Sequence, residues 1–425
     1  SAVTGVNAVT KGLTNVTAAT VNVTSAGSAF GTGIGAAKST GSAVVKATTV
    51  TASGTTGMGI GVSATGEVKV TSGSVSTTGL SAGIGVETLT GDITIDSTSV
   101  QASGTGAVGI GADGGAKVTI TSAAITSTDD GVTVLNSTAY SVQVGTVTAG
   151  ASAIQTVGSG SGQITTTAGG LVRGNGVGAG NWVIDASSGA AGTLTIANNG
   201  VLRSTAGGLG DQVIRAKGGA VIINNAGHID GVVSFTGLSG TNAVTFNNTS
   251  ATSWHTTGTS TFSAGNDTLN NTSSGLIATS ATTTFDFAGD TGVAPRDVFT
   301  NAGALAVGET AGASTLNLTN LETFNNSGAI GLGSTNGAKS DGETNDRLNA
   351  AGVTYNASGG ATIYLDANLG AATQTDCTAA VSADCVNLSG GVVTGVTKVN
   401  IKNVGTTGGL NTTGLMLIDV TGGTA

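Results

Sequence analysis

The sequence predicts an all-β chain, a parallel β-helix (a β-solenoid) in which the backbone coils with about 25 residues per turn and ends in a C-terminal β-cap. Three observations carry this prediction. The composition suits strands and little else. The first third repeats with a fixed period close to that turn length. The second half returns to the same Asn-bearing corner again and again, and self-similarity at such a period marks a solenoid.

The chain has 425 residues with 73 Gly, one Pro (Pro295), 9% charged and 3% aromatic residues. Thr, Ser, Ala, Val and Asn fill the rest. β-Branched residues at low charge favour strands over helices. Disordered chains are charged and poor in Val and Ile, so disorder does not fit. The glycines lack the three-residue period of collagen. A narrow solenoid core needs only Val, Ile, Leu and Ala, which are present. The net charge of −9 is spread thinly, with no basic patch, so nucleic acid is not an expected partner. No apolar run approaches the ~18 residues of a spanning helix, so this segment is not expected to insert into a membrane. The chain does not begin with Met, and a mature form that has lost an export signal is expected.

Residues 1–139 form the first ladder. Val50, Val75, Val100 and Ile125 stand at equal steps. One strand earlier, Val68/Val70, Ile93/Ile95 and Val118/Ile120 keep the same step in GEVKVTS, GDITIDS and GAKVTITS. This alternation marks strands with one buried face. GIG at 33–35, 59–61, 83–85 and 109–111, and GVTV at 131–134, supply a third apolar element. Three short strands per turn are therefore expected, with Glu67, Lys69, Asp92, Asp96 and Lys117 facing outward.

Residues 140–180 are Gly-rich and read as irregular turns of the same solenoid. Residues 181–338 read as an Asn-cornered ladder. The second Asn of each corner falls at Asn199, Asn225, Asn248, Asn271, Asn301 and Asn326, steps that stay close to one solenoid turn. Asn tolerates the left-handed backbone conformation, and stacked amides can bond from turn to turn. These six residues are expected to be structural.

Residues 339–425 have longer strands and clustered charge, and read as the cap that closes an open solenoid end. Cys377 and Cys385 flank seven residues, with no other Cys or His close in sequence. That is too few ligands for zinc. In an exported chain the pair favours one small disulfide loop, with two free thiols as the alternative.

NDRLNAAGVTYNASGGATIYLDANLG resembles the junction between passenger and barrel in the pertactin-like group of bacterial autotransporters. The resemblance lies at residues 346–348, 359–360 and 365–366, then at 383–386, 390–391, 403–405, 414–420 and 422–424. Cys385 stands where that family has a small or polar residue. The resemblance covers roughly the last fifth of the chain. It implies a right-handed coil, export through an outer-membrane β-barrel, a cell-surface or extracellular location, and a junction that helps the passenger fold.

Chemistry is sparse. His228 and His255 are the only histidines; His228 reads as an outward loop residue, and His255 as sitting beside Trp254 on a loop. No Gly-x-Ser-x-Gly element accompanies them. Asp129 and Asp130 could act as paired carboxylates on a polysaccharide, but would need an Arg, Lys or His and an aromatic-lined groove. GTGAVG at 104–109 lacks the following helix of a dinucleotide site. SAGNDTLNN at 263–271 resembles one calcium-binding nonapeptide, but calcium rolls need tandem copies and only one is present. Thr94 and Thr119 stack, but Lys69 interrupts the file needed for ice binding. No catalytic residue, cofactor or metal is expected. The leading expectation is a non-enzymatic surface or secreted structural element, a fibre, stalk or adhesin, self-associating through its ends or sides into oligomers or filaments. A carbohydrate-active enzyme is the alternative. A third reading places adhesive contacts in 140–180 or around Trp254.

Overall fold

The computed structural model describes residues 3–9, 11–24, 31–55, 57–178, 180–288, 297–309, 312–333, 342–370, 374–377, 382–405 and 414–422. Pro295, the boundary at 338 and 339, and the resemblance at Gly423 and Thr424 lie outside the described residues. Among those described there is no helix, and strands pair in parallel from turn to turn, the architecture of a parallel β-helix. The chain forms two compact units, Ser1–Gly207 with Asp211–Ala220, and Gly208–Gly210 with Val221–Ala425.

In the first unit Val21, Val50, Val75, Val100, Ile125 and Val147 stack in one buried file. Ile34, Ile60, Ile84, Ile110, Val132 and Ile154 form another. Each such side chain contributes roughly 1.5–3 kcal/mol by leaving water, but only once its neighbours are in place. Glu67, Lys69, Asp92, Asp96 and Lys117 are exposed.

The early turns differ from the expected three strands. Each has two, because the two strands of the sequence pattern run on as one, such as Val68–Thr77 or Ile93–Ala102. Two successive residues outside the buried face, half-buried Gly73 and exposed Ser74, reset the in–out alternation, so the strand bends without ending. A Cβ on Gly73 would collide with the Thr48 carbonyl one turn below. The third strand appears later. Ala139–Thr148 pairs on its far side with two separate strands, Gly162–Thr166 and Leu171–Gly174. Tyr140 sits in this transition, packed where Gly158 and Gly162 leave room, and its hydroxyl donates to the Ser187 carbonyl at 2.9 Å. The stretch expected to be irregular is therefore mostly regular ladder. After Gly174, residues 175–178 and 180–183 lie outside any strand.

In the second unit Val244–Asn248, Thr268–Asn271, Val298–Asn301, Thr323–Asn326, Thr354–Ala357 and Val392–Gly395 stack in register. The core here is aromatic. Phe246, Trp254 and Phe285 stack at 4.7 and 4.9 Å, Phe262 on Phe287 at 4.5 Å, and Phe299 on Phe324 at 4.8 Å. Trp254 is not on a loop. It opens the strand Trp254–Thr261, is fully buried, and donates its indole N–H to the Gly231 carbonyl at 3.0 Å. That removes it as an adhesive contact.

The described part of the expected cap continues the coil. Arg347–Asn349, Cys385–Asn387 and Ile418–Asp419 are successive parallel rungs, and Lys398–Asn403 lies on Thr362–Ala367. Cys377 and Cys385 are joined in a disulfide, with Cα atoms 5.5 Å apart.

Candidate functional site

The most developed polar constellation lies inside the second unit. Asn225, Asn248, Asn271, Asn301 and Asn326 are each fully buried. Each amide donates to the Oδ1 of the next, at 2.8, 2.8, 2.8 and 2.9 Å, and Asn326 donates to the Tyr355 hydroxyl at 3.0 Å. The second N–H of Asn248, Asn271 and Asn301 goes to the carbonyls of Leu276, Ala304 and Ala329. A buried amide with these partners satisfied avoids the desolvation penalty that would otherwise exclude it. Outside the coil, Asn224, Asn247 and Asn270 form a parallel exposed or half-buried row.

Two sequence expectations need correction here. In the first unit the buried amide is Asn198, which accepts from Thr166 Oγ1 at 2.7 Å, whereas Asn199 is exposed. The register pairs Thr166 with Asn198, so the inner residue of that corner is its first Asn and not its second. The ladder residues are also not left-handed. They lie inside strands, and positive φ occurs at Asn136 and Asn320 among the described asparagines.

A second row is not evident from the sequence. Asp267 accepts the Val244 N–H at 2.6 Å, its own N–H goes to Asp297 Oδ1 at 2.6 Å, and the Asp297 N–H goes to Glu322 Oε2 at 2.7 Å. The signal is an acid just before each strand, in DTLNN, DVFTN and ETFNN. Asp267 also accepts from Ser263 N and Oγ, which commits the nonapeptide carboxylate to its own corner. Beside the disulfide, Asp346, Asp366 and Asp384 are fully buried. Asp384 accepts the N–H groups of Asp346 at 3.1 Å and Asp366 at 2.7 Å. Burial pushes its carboxyl up to about 8, against those two hydrogen bonds and with the neighbouring carboxylates adding to the rise.

Both histidines lie on strands, each close to an acid. His228 contacts Asp230 Oδ1 at 2.7 Å and donates Nδ1–H to the Thr252 carbonyl at 2.6 Å. The hydrogen bond to Asp230 holds its pKa above the ordinary value. His255 Nε2 lies 3.0 Å from Glu309 and 3.2 Å from Ser280 Oγ. Acid and hydroxyl meet the same nitrogen, whereas a catalytic triad needs them on opposite ring nitrogens.

Asp130, one of the two paired carboxylates singled out in the sequence, is partly buried. Burial raises its pKa, opposed by the Ser152 N–H at 2.9 Å and reinforced by Asp129 and Asp185. At Asp185 burial also pushes upward, but the Arg215 hydrogen bond and the Lys217 charge outweigh it and the net shift is downward. Arg215 grips Asp185 with two nitrogens and stacks over Trp182, 5.6 Å from its centroid. A shallow groove of about 600 Å³ runs along the same unit, floored by Gly35, Gly61, Gly85 and Gly111 and walled in part by Glu87 and Asp113. Its lining reaches Thr133 and Leu135 but includes no aromatic residue.

Among the described residues no group of three His, Cys, Asp or Glu side chains could hold a metal, and no helix is long and apolar enough to cross a membrane. A scan against protein-family models finds no match, and searches of curated proteins and of solved structures find none either.

Proposed function

We propose that the chain is a non-enzymatic structural element of a secreted or cell-surface protein: the shaft of a fibre, stalk or adhesin, exported as the junction resemblance implies. One observation carries this reading. The buried Asn225, Asn248, Asn271 and Asn301 spend their amides on holding one turn to the next. His228 is likewise committed to Asp230. Self-association is part of the same reading, because strand edges and uniform polar sides are the surfaces such a coil offers. Protease added to intact producing cells tests the location. The reading predicts that the chain is digested while cytoplasmic markers survive. A chain protected until the cells are lysed contradicts it.

A second reading rests on Asp130 and Asp185, whose environments push their pKa values apart with Arg215 at hand, as an acid–base pair on a polysaccharide would require. It predicts release of reducing ends or unsaturated products from acidic or neutral glycans, lost in Asp130→Asn. Absence of both products removes it.

A further inference from the structure

Arg173 and Arg203 belong to different turns, and the coil sets them side by side. The register of Leu171–Gly174 on Val201–Ser204 pairs them directly within the first unit. Each follows a buried residue, Val172 or Leu202, so both face outward, and both are half-buried. Like charges opposite one another on neighbouring strands destabilise a sheet. A carboxylate between them would remove that cost, as Asp185 does for Arg215 and Lys217. Among the described residues neither Arg173 nor Arg203 forms an ion pair with an acid. Arg173 instead donates to Thr148 Oγ1 at 3.3 Å, on the rung before it and away from Arg203.

The file that leads to them is uncharged. Thr51, Ser76, Gln101, Thr126 and Thr148 stack in register up to Arg173, and no acid stands among them. They present hydroxyl and amide groups on one sheet face. Beside the arginines, Leu171 pairs with Val201 as a half-buried apolar step.

We propose that this file binds an acidic polysaccharide, with a carboxylate or sulfate group held between Arg173 and Arg203. This deepens the surface reading above by naming a partner for the shaft, and rests on it. Adjacent rungs lie roughly 4.8 Å apart, so both guanidinium groups can reach one anionic group. Their planar forks match its oxygens two at a time. The bound charge also relieves the repulsion between the arginines. Sugar hydroxyls meet the Thr, Ser and Gln side chains, and the apolar face of a ring rests on Leu171 and Val201. A polynucleotide fits less well, because unpaired bases call for aromatic platforms and the file holds none. The net charge of −9 repels polyanions in general, so binding has to come from this local pair. With no carboxylate in the file to act as general acid or base, the glycan is held and not cut.

Calorimetry on the full chain with dextran sulfate and with polygalacturonate tests the site, with unmodified dextran and a DNA duplex as controls. The wild type is predicted to bind one or both acidic glycans, and to bind dextran and DNA roughly tenfold more weakly or worse. Arg173→Gln and Arg203→Gln each lower the affinity roughly tenfold or more. Lys117→Gln removes the same charge from an exposed position outside the file and changes affinity by less than about twofold. Neither arginine variant melts below the wild type, since each removes a like-charge contact. No binding of either acidic glycan overturns the proposal. Equal loss in Lys117→Gln, equal binding of dextran or DNA, or a lowered melting temperature in both arginine variants overturns it too. Failure to bind, in a chain that protease digests on intact cells, removes the glycan site alone. Binding by a chain protected until lysis removes the surface reading and leaves the site.

Discussion

Asn198 and Asn199 are neighbours in sequence and opposites in environment. Asn198 is buried and accepts from Thr166 Oγ1 and the Gly200 N–H, while Asn199 is exposed and reaches only the Thr166 carbonyl with its amide. Asn198→Ala strips buried donors of their acceptor and costs about 1–3 kcal/mol. Asn199→Ala is predicted to cost less than about 1 kcal/mol. Urea unfolding of the two variants reads the difference, and the reverse order would place Asn199 on the inner row instead. Asp384 makes a prediction in pH. Its folded pKa, about 8, lies above that of an unfolded aspartate. Its contribution is therefore fully present in acid, declines as the unfolded aspartate ionises, and is gone once pH rises through 8. Melting followed from pH 6 to pH 9 should fall more steeply in the wild type than in Asp384→Asn. Equal slopes would show that Asp384 does not carry the proton.

At the scale of the strand, glycine has two different jobs in the GIG elements. A Cβ on Gly109 would collide with the Gly131 carbonyl and with Ile125, so Gly109→Ala forces a shift in a packed turn and costs about 1–3 kcal/mol. Gly111 faces open space at an ordinary φ, so Gly111→Ala is neutral or stabilises by up to about 1 kcal/mol. Thermal melts of the pair check this, and similar losses in both would contradict it. The apolar files were legible in the sequence because Val and Ile repeat at a fixed step on one strand face. The bend at Gly73 and Ser74 was not, because a corner that interrupts a strand and one that turns within it share the same small residues. The strand pairing of 154–174 was hidden too, since backbone bonding to the preceding turn does not need a bulky side chain at every position.

At the scale of the molecule, the sequence period revealed a coil but could not say which amide of an Asn pair points inward. That choice depends on the register set by Ile223, Phe246, Leu269, Phe299 and Phe324 on the core face. The acid row of Asp267, Asp297 and Glu322 was equally periodic, but isolated charges read as surface until their burial is known. Trp254 reads as a loop residue for a related reason: its neighbours are Ser, His and Thr, and only stacking between Phe246 and Phe285 buries it. In the second unit turn is held to turn by the inner amide row. Asn271 donates to Asn301 and Ala304 and accepts from Asn248, whereas Asn270, on the outer row, donates to Asn247. Urea unfolding of Asn271→Ala and Asn270→Ala is the most direct test. A loss of about 3 kcal/mol at Asn271 and less than about 1 kcal/mol at Asn270 is predicted. Equal losses, or a larger one at Asn270, would contradict it.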